Sequence, residues 1–313
     1  MNWHYSKNGQ TRGPVDSAAL GRLIQGGDLG GNDLVWREGW AEWRSLGQVE
    51  ELAHYLKSSR PSTPPPLPVG APGSVASATQ TRTFGGIEFV WCPPGSFLMG
   101  QLGTPGSTET DFPHQVTLTR GFWIGKYPVT QAQWLRVMGY NPSIFRDAGL
   151  EAPVETVSWD DTQSFCSAVS RVERMELRLP TEAEWEYACR AGSTGPYCFD
   201  SPYVGELLDY AWFNENSGES THPVGRKKPN AWGIHDMPGN VFEFCQDWYG
   251  DYPNGPITDP VGPKNGSDRV IRGGSWCFSA GNCLSAARGK DWPGLQNFNI
   301  GGLGFRVAVS STP

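Results

Sequence analysis

Short alternating stretches separated by glycine and proline, rather than long helical stripes, set the rhythm of this chain. Trp3-His4-Tyr5 and Leu34-Val35-Trp36 predict strands with aromatic side chains on one face. Between them Asp16 is placed to cap a helix carrying Leu20, Leu23 and Ile24 on one side, and Gly26-Gly27 stops it. A second helical stripe follows at Val49, Leu52, Ala53 and Leu56. Further on, Phe89-Val90-Trp91, Gly95 to Gly100, His114 to Leu118 and Phe122 to Val129 alternate as strand pieces. Thr130 with Gln133, and Thr181 with Glu184, have the spacing of capping boxes. They predict one helix from Gln131 to Met138, closed by Gly139, and another from Glu182 onward. A helix after Trp159 would turn Phe165, Ala168, Val169 and Val172 inward. Near the end, Val270-Ile271-Arg272 predicts a strand, and Gly304 to Val309 a returning one with Phe305, Val307 and Val309 on one face. Gly273-Gly274-Ser275 bends the chain where a Cβ would obstruct it, and Trp276 and Phe305 are expected in the core. The roughly thirty residues between these two strands show neither period, and so long an irregular stretch in a compact domain is more often functional than idle.

Composition narrows the possibilities. The 313 residues leave room for two domains, and 40 Gly, 26 Pro and 14 Trp point to many loops and aromatic cores. A net charge of −7 argues against an electrostatic nucleic-acid surface. No apolar run approaches the roughly twenty residues that span a bilayer, so no membrane partner is expected. The opening MNWHYSKNGQ lacks the basic and apolar regions of a signal peptide, which makes the cytoplasm the expected compartment. Seven cysteines, odd in number and irregularly spaced, read neither as a disulfide framework nor as zinc knuckles, but as small buried thiols. Residues 58–83 read as a linker, stiffened by Pro64-Pro65-Pro66-Leu67-Pro68 and flexible afterwards.

Two resemblances give these pieces a context. In residues 1–57, W-x-Y, N-G-Q, G-P and L-V-W-R-E-G-W resemble the bacterial GYF_2 domain, a small α+β unit. The resemblance implies binding of a Pro-rich peptide by Trp3, Tyr5, Trp36 and Trp40, with the linker's own proline run either a ligand or a plain spacer. In residues 84–313, F-V-W-C-P-P-G-S-F-L-M-G, R-L-P-T-E-A-E-W-E-Y-A, H-P-V-G, D-M-P-G-N-V-F-E-F and R-V-I-R-G-G-S-W…G-F-R follow in order. They resemble the formylglycine-generating-enzyme (sulfatase-modifying factor) domain, a variant of the C-type lectin fold. The fold class implied is α+β, with few helices and many short strands and loops. Glu182, Glu184 and Glu186 look like a catalytic carboxylate cluster, but acids in a first helical turn are favoured by the helix dipole alone, and the structural role is preferred.

The same resemblance implies candidate sites. Asn240, the carbonyl of Val241, and Glu243 supply hard oxygens beside Gly239, as a structural calcium requires, with Asn216 and Asp236 as further candidates. Formylglycine-generating enzymes bind Cu(I) through two cysteines in G-G-S-[WY]-x-C-x-x-x-x-C. Here Cys283 matches the second, but Phe278 stands at the first and Cys277 falls one residue early, onto the opposite face of an extended segment. Copper-dependent oxidation of a peptidyl cysteine by Cys277 and Cys283 is therefore the alternative. The favoured expectation is a non-catalytic recognition protein, similar to variable proteins of diversity-generating retroelements, whose 277–299 surface binds a protein or other macromolecular ligand. Its contact positions would be Cys277, Phe278, Ser279, Asn282, Leu284, Lys290, Asp291, Trp292, Gln296, Asn297, Phe298 and Asn299, small polar residues beside aromatics as in a general-purpose paratope.

Overall fold

A computed structural model describes residues 2–7, 10–25, 29, 33–40, 43–46, 49, 52, 80–101, 112–201, 204–293 and 301–310. The chain divides into two compact units, Met1–Val75 and Ala76–Pro313. No helix among the described residues is long and apolar enough to cross a membrane.

In the small unit, β1 (Asn2–Lys7) pairs antiparallel with β2 (Gln10–Asp16) and β3 (Leu34–Arg37), and β3 with β4 (Arg44–Ser45). Helix α1 (Ser17–Gln25) begins where expected, with the Asp16 carboxylate accepting the Ala19 N–H at 2.7 Å. Leu20, Ile24, Val35, Leu46, Val49 and Leu52 gather around Trp3, which is 1% exposed. Trp3 is therefore a core residue and not part of a groove. Its indole donates inward to the Ser17 hydroxyl, and its ring meets Trp40 edge to face. Tyr5, Trp36 and Trp40 stay half-buried, so the peptide-binding expectation narrows to these three.

The large unit is built from three small sheets packed against helices. The first runs β10 (Leu177–Arg178), β16 (Ala308–Ser310), β9 (Phe122–Gly125), β6 (Ile87–Cys92), β5 (Thr81–Phe84). Because β5 begins at Thr81 and pairs with β6, the folded unit reaches back into the stretch read as linker. The second sheet runs β12 (Ile257–Thr258), β8 (His114–Leu118), β7 (Gly95–Met99). The third, β14 (Arg288–Asp291), β13 (Arg269–Arg272), β11 (Phe242–Trp248), β15 (Leu303–Gly304), carries the C-terminal signature.

Both capping boxes form as the sequence spacing predicts. Thr130 and Gln133 open α2 (Gln131–Met138), which Gly139 closes at φ 81°, and Thr181 and Glu184 open α4 (Glu182–Arg190). A third, Ser158 with Asp161, opens α3 (Trp159–Glu173). Phe165 and Val169 of α3 are buried, but Val172 in its last turn is 77% exposed, against expectation. A short α5 (Leu207–Tyr210) follows. The aromatic core shows most clearly where Trp134 stacks on Phe165 at 5.6 Å and Phe305 meets both rings edge to face.

Candidate functional site

The C-terminal segment rests on a floor of strands whose inward charges are wholly buried. In β13, Arg272 reaches under the sheet to Glu186 of α4 at 2.5 Å and donates to the carbonyls of Ser285 and Ala287. Glu186 also takes Arg190 at 2.8 Å and the Gly100 N–H at 2.9 Å. From β14, Arg288 holds both oxygens of Glu182 at 2.7 and 2.9 Å. Burial opposes ionisation of Glu182, but Arg288, Arg272 and the Tyr252 hydroxyl outweigh it and hold its pKa below the ordinary carboxylate range. Glu184 pairs with Arg178 at 2.6 Å. Glu182 and Glu184 of the first turn of α4, and Glu186 beyond it, thus all brace the frame through ion pairs, a structural role reached by arginines and not by the helix dipole alone.

Above this floor the turn needs its glycines. Gly273 has φ 96° and its Cβ would stand 2.7 Å from the Met237 carbonyl. At Gly274, with φ 75°, a Cβ would stand 2.9 Å from the Cys283 sulfur. Backbone bonds then tie the segment down. The Trp276 N–H donates to the Asn240 carbonyl at 3.0 Å, the Ser217 hydroxyl to the Trp276 carbonyl at 2.8 Å, and the Asn214 N–H to the Phe278 carbonyl at 3.1 Å. Trp276 is only half-buried, not a core residue; its ring meets Phe145 at 5.1 Å and its indole donates to Gly301.

Contrary to the sequence pattern, the stretch is not irregular throughout. β14 lies inside it and pairs along its whole length with β13, placing Lys290 and Asp291 on a strand. Arg-Gly-Lys-Asp shows no alternation because its inward residue is the buried Arg288, and Gly289 lets the strand pass close over Ile271. Ser279, Lys290 and Trp292 are exposed, Trp292 by 57%. Cys277, Asn282 and Asp291 are half-buried. Two expected surface positions turn inward. Phe278 meets Phe242 edge to face at 5.0 Å, and Leu284 packs on the core around Cys283. Gln296, Asn297, Phe298 and Asn299 lie outside the described residues.

The two cysteines of the copper reading occupy different surroundings. The Cys283 thiol is sealed in the core, where burial above all, and Cys189 beside it, push its pKa up to about 12. Cys277 is half-buried and its sulfur lies 3.5 Å from the Ser275 hydroxyl. Burial raises its pKa as well, so neither position favours the thiolate that Cu(I) needs. The two thiols thus differ in access, Cys283 buried and Cys277 half-buried.

The calcium donors do not converge either. Both Glu243 oxygens accept from Arg306, at 2.6 and 2.7 Å, and one also accepts from the Trp185 indole at 2.6 Å. The Asn240 oxygen accepts the His222 N–H at 3.0 Å and its amide donates back to the His222 carbonyl, pinning two loops together. Asp236 accepts the Gly225 N–H at 2.7 Å, and Asn216 closes its own turn on the Phe213 N–H. Val241 lies fully buried between Asn240 and β11. Among the described residues no three His, Cys, Asp or Glu side chains gather as metal ligands. The motif read as an oxygen cage is instead an arginine socket, and Arg306, quoted in the sequence only as part of a signature, is the residue that reading missed.

Comparison with known proteins places this geometry. Residues 75–311 match the sulfatase-modifying factor enzyme 1-like domain, and residues 3–52 match GYF domain 2. Over 254 residues the chain is 32% identical to the chaperone protein LppX of Paenibacillus barcinonensis, covering 66% of this chain and 83% of that one. It is 33% identical to the formylglycine-generating enzyme of Mus musculus, but the match spans 64% of this chain and 54% of the enzyme. Among solved structures, Treponema denticola variable protein 1 superposes with a TM-score of 0.67 at 32% identity, over 75% of this chain and all of that one. PvdO from Pseudomonas aeruginosa superposes at 0.63 with 26% identity, over 76% of this chain and again all of that one. With most of its length matched, this chain belongs to the sulfatase-modifying factor enzyme 1-like family.

Proposed function

We propose that this is a non-catalytic recognition protein whose 277–299 surface binds a macromolecular ligand, and that a retroelement diversifies this surface as in variable proteins. The carrying observation is the contrast between Cys283, buried in the core, and Cys277, half-buried beside Ser275, on a segment that presents Ser279, Lys290 and Trp292 to solvent. A surface of small polar residues around an exposed tryptophan, held by backbone bonds, suits side-chain replacement without collapse. The likeness to Treponema denticola variable protein 1 supports the same reading. The small unit would add a Pro-rich-peptide contact through Tyr5, Trp36 and Trp40, the aromatics left half-buried.

Sequencing the gene across many cells of one population tests the proposal. Replacements are expected at positions such as Ser279, Asn282, Lys290 and Trp292, with Arg272, Cys283 and Arg306 unchanged. A sequence uniform across 277–299, or replacements spread equally over frame and surface, would refute diversification. For the small unit, titrating the full chain with unrelated Pro-rich peptides should perturb the Trp36 and Trp40 resonances, and silence with every peptide would leave these rings only a packing role.

A further inference from the structure

A cavity of about 490 Å³ opens between β7, the end of α4 and the turn that follows α4, and no described residue of 277–299 lines it. Three rings stand side by side in its wall. Phe97 of β7 meets Tyr187 of α4 with ring centres 5.2 Å apart, and Tyr187 meets Trp232 edge to face at 5.0 Å. Leu98, which is 57% exposed, continues the apolar lining with Pro113 and Pro196.

The polar groups of the wall fall into two kinds. Arg190 is the charged residue among those described, and its guanidinium is already matched. Glu186 accepts from its Nε at 2.9 Å and lies 2.8 Å from Nη2, and the Gly195 carbonyl accepts from Nη1 at 3.0 Å. The Ser96 hydroxyl is engaged with Thr117, and the Ser193 hydroxyl with the Tyr197 carbonyl. Tyr187 and Trp232 differ. Among the described residues neither the phenol hydroxyl nor the indole N–H has a hydrogen-bond partner, and neither atom is sealed from solvent. Tyr187 is otherwise only 9% exposed, so its ring is held while its hydroxyl stays free. The hydroxyl lies over Gly95, where any Cβ would displace it. Burial first, and Cys92 second, push the Tyr187 pKa up to about 12, so the phenol keeps its proton and can donate it in a hydrogen bond.

We propose that this cavity binds an uncharged ligand carrying a carbonyl oxygen on a flat ring, the oxygen accepting from the Tyr187 hydroxyl and the ring lying against Phe97, Leu98 and Trp232. Free donors without a free charge select a neutral acceptor. An anion would find Arg190 already neutralised by Glu186, and a cation would find no carboxylate in the wall. A ring without an acceptor gains the apolar contact but strips water from the phenol and returns nothing to it.

NMR of the full chain with its indole nitrogens labelled tests the site, the Trp232 resonance being identified by its loss in Trp232→Phe. The probe is acetophenone, with ethylbenzene as the analogue lacking an acceptor and benzoate and benzylammonium as the charged ones. Expected are a saturable shift of the Trp232 resonance with acetophenone, weaker binding of ethylbenzene, and none of either ion. Tyr187→Phe removes a hydroxyl that no protein group uses, so it should leave thermal unfolding unchanged while weakening acetophenone about three- to tenfold and ethylbenzene not at all. Thr194→Trp, at an exposed position of the rim, should block both ring compounds in a folded chain. Absence of a saturable Trp232 shift, equal affinity for ethylbenzene or benzoate, or undiminished acetophenone binding in Tyr187→Phe or Thr194→Trp would overturn the proposal.

Discussion

On the inward side of residues 269–293, Arg272 is wholly buried and donates to Glu186, Ser285 and Ala287; on the outward side, Ser279, Lys290 and Trp292 stand in solvent. One stretch of chain thus has two mechanical characters. Each inward group is fixed by several long-range partners, so its loss strands a buried charge. The outward groups contribute little to folding, and their positions are set by the backbone beneath them. A frame whose stability is independent of its surface residues tolerates changes of that surface, and here this independence is achieved with buried ion pairs as well as apolar packing.

The largest effect should come from cutting the frame. Arg306→Ala leaves Glu243 buried without its guanidinium and should cost about 3–5 kcal/mol in denaturant unfolding. Phe305→Ala, which empties the space between Trp134 and Phe165, should cost a similar amount, about 3–5 kcal/mol. Gly273→Ala should follow at more than about 1 kcal/mol, because a Cβ meets the Met237 carbonyl at a positive φ. A separate effect, of pH, belongs to Asp247. The folded pKa of Asp247, about 8, lies above its unfolded value, so the native state holds the proton longer. Stability attributable to this group is fully present at acid pH and falls as pH rises toward 8, by at most about 1.4 kcal/mol per unit. Asp247→Asn should flatten that part of the stability–pH profile. The smallest effects belong to the surface: Ser279→Ala, Lys290→Ala and Trp292→Ala should each stay within about 0.5 kcal/mol. A cost at Trp292 equal to that at Phe305 would erase the contrast.

What could be read from sequence was local. Asp16, Thr130 with Gln133, and Thr181 with Glu184 announce their helices because a cap needs only neighbours three residues away. The bend at Gly273-Gly274 was legible for the same reason. The ion pairs were not, since Glu243 with Arg306 and Glu182 with Arg288 join residues 63 and 106 apart. That distance explains the calcium expectation: Asn240 and Glu243 beside Gly239 look like a cage until the arginine arrives from the short stretch between β15 and β16. It also explains β14, whose inward charge erased the alternation, and Phe278, whose partner Phe242 lies on another strand. In the small unit, aromatic identity suggested a groove, but only packing could show that Trp3 belongs to the core.

The choice between recognition and oxidation comes down to Cys277 and Cys283. Anaerobic titration of Cu(I) against a competing chelator, followed by oxygen uptake with a cysteine-containing peptide, measures it directly. A recognition protein with Cys283 sealed in its core predicts no tight stoichiometric copper, no peptide-dependent oxygen uptake, and no difference in Cys277→Ser. One tightly bound Cu(I), lost in Cys277→Ser and Cys283→Ser and accompanied by oxygen uptake in the wild type, would contradict it.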